Sequence, residues 1–191
     1  MKIDLWFPVT IANIEEILSK KENDILIKEI LKIKKDKDKG GSNWISDVYN
    51  THFTFDLRTS NQFKLLCNKV TDHVNVFAKR LGSDYEYKIN SSWFNYYNKK
   101  DYQEYHEHSK SIFSAVYFFK TPKESGNIVF KDPKEPDMFP LENIKYNDLS
   151  FQQCEYQSIE RKLIIFRSYL SHMVRPGNNK EPRITAAFNF S

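Results

Sequence analysis

Apolar residues in the first 82 positions recur mainly with the period of an α-helix. The spacing predicts three helices, which cover residues 10–18, 25–33 and 60–81. Thr10 and Ser60 stand where helix-capping residues are expected, and Gly82 stands where the third helix should end. Each predicted helix carries an apolar stripe, which indicates that it packs against a sheet.

Beyond Gly82 the pattern changes to the alternation that is typical of strands. Tyr85, Tyr87 and Ile89 alternate with polar residues, and short aromatic or apolar runs follow. These runs cover residues 93–97, 112–119, 127–131, 151–157, 163–166 and 183–190. Helices followed by many short strands predict an α+β fold whose strands form a jelly-roll-like β-roll with a ligand-binding mouth. We expect one domain over residues 1–191, with residues 1–82 as mainly helical support and residues 83–191 as the roll.

The composition argues against a membrane-spanning, disulfide-rich or nucleic-acid-binding protein. The chain has 191 residues, of which 40% are hydrophobic, so it can bury a sizeable core. It has no apolar run long enough to cross a membrane, and because the first residues lack a secretory h-region we expect no secretory leader. Cys67 and Cys154 stand alone and far apart, which excludes a disulfide scaffold and favours a cytoplasmic protein. The net charge of +4 is mild, and the lysine-rich run at 32–39 is interleaved with acids, so specific nucleic-acid binding is not expected.

Three histidines carry the candidate chemistry. His106 and His108 are two residues apart, so on a strand both imidazoles point to the same face and can reach one metal ion. His172 follows the apolar run at 163–166 and can return from a distant strand to complete the site. A site of three histidines is the preferred interpretation, and a glutamate such as Glu104 in place of one histidine is the alternative. The simplest other explanation is a half-exposed strand that carries two polar residues.

Arg183 opens the last predicted strand. A fixed guanidinium in this position is suited to a bidentate interaction with a carboxylate. Thr185 shares the same strand face and can add a hydroxyl hydrogen bond.

Together these residues resemble the iron(II)- and 2-oxoglutarate-dependent oxygenases, and in particular a small phage and bacterial branch with a His-x-His motif. The matching segments are Trp93-Phe94-Asn95, His106-Glu107-His108, the aromatic run at 113–118 and the Gly-x-x-x-Phe-x-Asp-Pro turn at 126–133. The similarity extends over residues 85–191, and the helical first half matches more loosely.

The resemblance implies a double-stranded β-helix, Fe(II) bound by the three histidines, and 2-oxoglutarate as cosubstrate. It implies that 2-oxoglutarate chelates the iron and places its far carboxylate on Arg183, with Thr185 beside it. Asn95 and Tyr117 are further candidates for lining the cosubstrate pocket. Hydroxylation is the expected reaction, and the substrate stays open between a protein side chain, a nucleobase and a small metabolite.

Two other functions stay open at this point. A cupin-like metal enzyme also carries His-x-His on a β-roll, but it usually has a glutamate a few residues later, and residues 109–114 contain none. A non-catalytic binding module would tolerate the loss of a ligand or of Arg183, and neither is lost. The proline-containing segment at 132–150 either shapes the mouth of the roll or is a plain surface loop.

Overall fold

The computed structural model describes residues 1–4, 6–36, 44–134 and 150–191. Within them lie two α-helices and ten strands. In chain order these are β1 (Ile11–Ile14), α1 (Lys20–Asp36), β2 (Tyr49–Asn50), α2 (Lys64–Arg80), β3 (Ile89–Tyr97), β4 (Gln103–His106), β5 (Phe113–Lys120), β6 (Ile128–Lys131), β7 (Gln153–Tyr156), β8 (Leu163–Arg167), β9 (His172–Val174) and β10 (Arg183–Phe190). Two short 3₁₀ turns, at 57–59 and 61–63, precede α2.

The strands form two antiparallel sheets. The large sheet has the order β1-β8-β5-β10-β3-β2, and the small sheet has the order β4-β9-β6-β7. The sheets pack on each other through aromatic and aliphatic side chains of β5, β8 and β6, among them Phe118, Phe166 and Phe130. This arrangement confirms the predicted α+β fold with a double-stranded β-helix core.

The side chains of β10, near the middle of the large sheet, alternate between two environments. One set packs with the helices in the main core: Ile184, Ala186, Phe188 and Phe190. The other set lines a pocket between the sheets: Arg183, Thr185, Ala187 and Asn189. Every residue of β10 is buried, because helices cover one face and the pocket walls cover the other.

The helices cover the outer face of the large sheet, as predicted. The apolar stripe of α2 is buried against it through Leu66, Cys67, Val70, Val74 and Ala78. Gly82 follows α2 with φ +89°, a left-handed conformation that ends a helix and that glycine adopts without strain. Ser60 was wrongly predicted as the cap, because the 3₁₀ turns intervene and Phe63 occupies the cap position.

The predicted helix at 10–18 is also wrong. Residues Ile11–Ile14 form β1, which extends the edge of the large sheet with Ile11 opposite Phe166 and Ile14 opposite Leu163. β-branched residues favour a strand where a partner edge is available, and this tertiary pairing overrides a weak helical period. Two other expectations fall partly outside the described residues. Of the proline-containing segment at 132–150, positions 135–149 are not described, and of the lysine-rich run at 32–39, positions 37–39 are not described.

Neither described helix has the length and apolar content that a bilayer-spanning helix needs.

Candidate active site

The fold brings His106, His108 and His172 together. His106 ends β4 and His172 begins β9, and the two are paired directly across the small sheet. His108 lies just beyond β4, where its backbone N–H donates to the Ser168 carbonyl. Candidate ligand nitrogens of the three rings lie within 4.8 Å of one another, a spacing that one metal ion can bridge.

Each of these imidazoles uses Nδ1 for a hydrogen bond within the protein. His106 Nδ1 lies 2.8 Å from the Glu104 carbonyl, and His172 Nδ1 lies 2.9 Å from the Leu170 carbonyl. A carbonyl only accepts, so both Nδ1 atoms carry the proton and both Nε2 atoms keep a free lone pair. This is the tautomer that a histidine needs to bind a metal through Nε2.

His108 is held by two side chains of the large sheet. Its Nδ1 lies 2.6 Å from Asn189 Oδ1 and 2.9 Å from Ser114 Oγ. Asn189 Nδ2 donates to Ser91 Oγ at 3.2 Å, which directs Oδ1 toward the imidazole. Asn189 therefore fixes the orientation of His108 and leaves its Nε2 for a metal.

Burial keeps the three rings neutral. It lowers the pKa of His106, lowers that of His108 to about 4 with the nearby His106 as a second cause, and holds that of His172 well below its ordinary range. Phe130 and Phe166 pack on His172, with ring centroids 5.7 and 4.7 Å away. Near neutral pH the rings are free to bind a metal without first losing a proton.

No carboxylate of the described residues joins this cluster. Glu104, which was considered as an alternative ligand, accepts instead from the backbone N–H of Ile45 at 3.0 Å. Glu107 is exposed at the rim of the pocket. The donor set is therefore three neutral imidazoles.

The histidines face a pocket of about 540 Å³ whose other end is Arg183. The Arg183 side chain is fully buried, with its guanidinium 4.5 Å from the centre of the Tyr97 ring, and its Nε donates to Ser158 Oγ at 3.2 Å. Burial lowers the pKa of Arg183, and no carboxylate among the described residues pairs with it. A buried cation without a counter-ion is costly, so this end of the pocket is suited to an anion.

Unpaired polar atoms mark the same end. Arg183 Nη1, Thr185 Oγ1 and Asn95 Oδ1 are buried and have no hydrogen-bond partner among the residues that the structure describes. Thr185 and Asn95 are opposite each other in the β10–β3 ladder. The Tyr97 hydroxyl lies beside Arg183 and Thr185 but donates to Gln103 Oε1 at 2.6 Å. A half-turn of the Asn95 amide would bring Nδ2 into the position of Oδ1, so all three groups can donate to a carboxylate.

Tyr117 was predicted to line this pocket, and the structure places it on the other face of β5. Its hydroxyl donates to Asn23 Oδ1 of α1 at 2.9 Å, within the core beneath the helices. Its neighbour Val116 lines the pocket instead. Tyr117 therefore joins the helical layer to the sheet.

Three aromatic residues of the site were not predicted from the sequence. Trp93 and Tyr97 line the pocket on the same face of β3 as Asn95, and the alternation Trp93-x-Asn95-x-Tyr97 could have revealed them. His52 also lines the pocket. It lies in the segment between α1 and α2, and no local pattern indicates that this segment reaches the roll.

Comparisons with known proteins agree with this geometry. Residues 91–189 match the sequence family described as 2OG-Fe(II) oxygenase. A comparison with curated protein sequences gives no match.

Several solved structures share the fold at low sequence identity. A prolyl-4-hydroxylase from Pseudomonas putida aligns with a TM-score of 0.68 and 12% identity over 95% of this chain and 92% of its own. The viral collagen prolyl hydroxylase of Paramecium bursaria Chlorella virus-1, in complex with 2OG, has a TM-score of 0.60 and 15% identity over 94% of each chain. HygX from Streptomyces hygroscopicus, with nickel, 2-oxoglutarate and hygromycin B bound, has a TM-score of 0.67 and 13% identity over 96% of this chain and 83% of its own.

Proposed function

The chain belongs to the 2OG-Fe(II) oxygenase family, and we propose that it is a hydroxylase in which His106, His108 and His172 bind Fe(II). When bound, iron and 2-oxoglutarate supply the chemistry of this family, in which O₂ oxidises a substrate while 2-oxoglutarate is decarboxylated to succinate. The protein's own contribution is to hold these groups in place and to shape the pocket around them.

The buried Arg183 is the observation that carries this proposal. Its guanidinium would take the distal carboxylate of 2-oxoglutarate, with Thr185 and Asn95 donating to the same group. A desolvated, bidentate pair of this kind is strong and directional. The binding of this dicarboxylate would satisfy three buried polar atoms that the described residues leave unpaired.

Besides taking part in the reaction, 2-oxoglutarate would compensate the positive charge of the site. Three neutral imidazoles leave both charges of Fe(II) uncompensated, and Arg183 adds a third positive charge. 2-Oxoglutarate carries two negative charges, one at each end of the pocket. We therefore expect metal and cosubstrate to strengthen each other's binding, because each lowers the electrostatic cost of the other.

The packing around the histidines supports catalysis at a defined position. Trp44 contacts His106 with ring centroids 4.6 Å apart, and Phe166 contacts His172. These rings restrict the orientation of the imidazoles. The substrate must then approach through the open part of the pocket.

The direct test is anaerobic loading of the purified protein with Fe(II) and 2-oxoglutarate, followed by addition of O₂ and measurement of succinate. We expect slow succinate formation without substrate, and its loss in His172→Ala and Arg183→Ala. Peptides, nucleobases and small metabolites are then screened for faster succinate release and a gain of one oxygen atom. Prolyl peptides belong in the first panel because two of the similar structures are prolyl hydroxylases.

A non-catalytic module would bind metal and 2-oxoglutarate but form no succinate with any substrate. A cupin-like enzyme would bind metal and show no 2-oxoglutarate affinity that depends on Arg183. Either result would contradict the proposed function.

A further inference from the structure

The pocket extends beyond the groups assigned to metal and cosubstrate. Along β3, Tyr97 and Asn95 are opposite Arg183 and Thr185, whereas Trp93 is opposite Ala187, further from the arginine. The open end of the pocket continues from Trp93 to His52 and Phe53, which precede α2. This end is the space that remains for a substrate.

Aromatic rings form a continuous row from the protein surface to a candidate metal ligand. Phe53 contacts His52 with ring centroids 4.5 Å apart, His52 contacts Trp93 at 4.3 Å, and Trp93 contacts His108 at 5.7 Å. Successive rings are tilted by 45°, 46° and 54°, so the row presents both edges and faces. Such a wall offers edge-to-face contacts to another flat ring.

Two side chains of the row, Phe53 and His52, are available to contact a ligand. The Phe53 side chain is 74% exposed, although it belongs to a pocket wall. Neither ring nitrogen of His52 bonds to any residue that the structure describes, while its backbone N–H donates to Asn50 Oδ1 at 3.1 Å. The backbone bond and the two ring contacts hold His52 in place, and its nitrogens are left for a ligand.

The polar residues at this end are neutral. Asn90, Ser91 and Ser111 line the pocket and hydrogen-bond in series, Asn90 Nδ2 to Ser111 Oγ and Ser91 Oγ to Asn90 Oδ1, both at 3.2 Å. The charged residues of the rim, Glu107 and Lys110, are exposed and opposite in sign. No single-sign field therefore favours a charged group here, in contrast with the Arg183 end.

We propose that the Phe53–His52–Trp93 row is the substrate subsite, and that it selects an uncharged, flat group with a hydrogen-bonding substituent. In this subsite His52 contacts the substrate directly: it packs against the substrate and donates or accepts one hydrogen bond, which places the substrate beside His108. This inference rests on the proposed function, because it takes the histidines as the metal site and the Arg183 end as the cosubstrate site.

The test uses the full chain loaded with Mn(II) and 2-oxoglutarate, since Mn(II) is paramagnetic and relaxes the protons of a nearby ligand. Benzamide is the probe, because it is flat, neutral and carries one amide. Benzoate and benzylammonium change its charge, and cyclohexanecarboxamide keeps the amide but is not flat. Proton relaxation of each probe is measured with wild type, His52→Ala, Phe53→Ala and the control His73→Ala, whose histidine lies on α2 away from the pocket.

Benzamide should show the largest relaxation enhancement, and His52→Ala and Phe53→Ala should each weaken its binding by about threefold or more. His73→Ala should bind it like wild type, and melting temperatures should stay the same because both pocket side chains are exposed. Equal binding of a charged probe or of cyclohexanecarboxamide would overturn the stated selectivity. Wild-type affinity in His52→Ala, or no probe binding at all, would overturn the subsite.

Bound Mn(II) and bound 2-oxoglutarate are measured first by equilibrium dialysis, and these measurements test the proposed function separately. If they fail, probe binding is still followed by saturation-transfer NMR, which needs no metal. Normal metal and cosubstrate binding with no dependence on His52 would overturn only the subsite.

Discussion

His106 and His172 are direct register partners in the β4–β9 pair, with ring centroids 4.2 Å apart, although they are far apart in the sequence. Directly opposed residues of an antiparallel pair have the shortest separation that a sheet offers. The small sheet therefore sets the distance between two of the three candidate ligands through backbone hydrogen bonds. His108 completes the group from just beyond the strand.

The first prediction concerns the metal. His106→Ala and His172→Ala should each abolish stoichiometric binding of one Fe(II) per chain, because two neutral imidazoles hold the ion poorly. His108→Asp should bind at least as tightly as wild type, since the carboxylate compensates part of the metal charge. Anaerobic titration followed by metal analysis measures all three, with His73→Ala as the control. Unchanged binding in either alanine variant would contradict the assignment.

The second prediction concerns Asn189, which is not one of the candidate metal ligands. Asn189→Ala removes the hydrogen bond that orients His108, and loss of such a partner typically weakens metal affinity by about tenfold to hundredfold. The ligand set itself is intact, so Fe(II) should still bind at high concentration. Asn68→Ala, an exposed change on α2, is the matched control. An affinity equal to that of wild type would mean that Ser114 alone fixes the imidazole.

The third prediction concerns Arg183. Arg183→Ala should weaken 2-oxoglutarate binding by about 2–5 kcal/mol, well over tenfold, while Fe(II) stays bound. Arg183→Lys should recover part of the loss, because lysine keeps the charge but not the two-pronged geometry. The metal-to-ligand absorption band under anaerobic conditions reports the affinity. Arg175→Ala is the control, since Arg175 is half-exposed and pairs with Glu155 at the surface. A wild-type band in Arg183→Ala would leave the cosubstrate site unsupported.

The fourth prediction is that Tyr117 contributes to the stability of the fold and not to cosubstrate binding. Tyr117→Phe leaves Asn23 Oδ1 without its donor in the core, while Asn23 Nδ2 still donates to the Phe119 carbonyl, and should cost about 1–3 kcal/mol of unfolding free energy. Because the ring faces the helices, 2-oxoglutarate affinity should not change. Urea unfolding and the absorption titration together check this. A loss of 2-oxoglutarate affinity in a fully folded variant would show that Tyr117 contributes to the cosubstrate site.

The pocket positions of His106, Arg183 and Thr185 could be predicted because residues two apart on a strand share a face. His108 lies just beyond β4, and Asn95 was a candidate only through the family resemblance. Tyr117 lies in a strand that is buried on both sides, and such a strand shows no polar alternation from which to choose a face. β1 was missed because four residues with a nearby helical spacing do not distinguish a strand from a helix without knowledge of the sheet edge. His52 could not be predicted as a pocket residue because its place depends on long-range packing of the segment between the helices.

The fifth prediction concerns residues 1–82, which we propose are an integral part of a single domain. They supply α1, α2 and the two edge strands β1 and β2, which pair with β8 and β3. A fragment of residues 83–191 would expose the outer face of the large sheet and should aggregate or lack fixed tertiary structure. Solubility and near-ultraviolet circular dichroism measure this. A soluble fragment with a cooperative melting transition would show that the roll folds alone.

Strand β10 carries Arg183 at one end and Asn189 at the other, both on the pocket face. The first would hold the far carboxylate of the cosubstrate, and the second orients a metal ligand. A strand rises by about 3.3 Å per residue and cannot stretch by the length of a methylene without breaking its hydrogen bonds to both neighbours. The fixed spacing of Arg183 and Asn189 along β10 therefore sets the carbon-chain length of the cosubstrate that fits. Oxaloacetate is one carbon too short, and 2-oxoadipate one too long, to span from Arg183 to a metal held by His108. The enzyme should therefore discriminate among 2-oxo diacids by size as well as by charge.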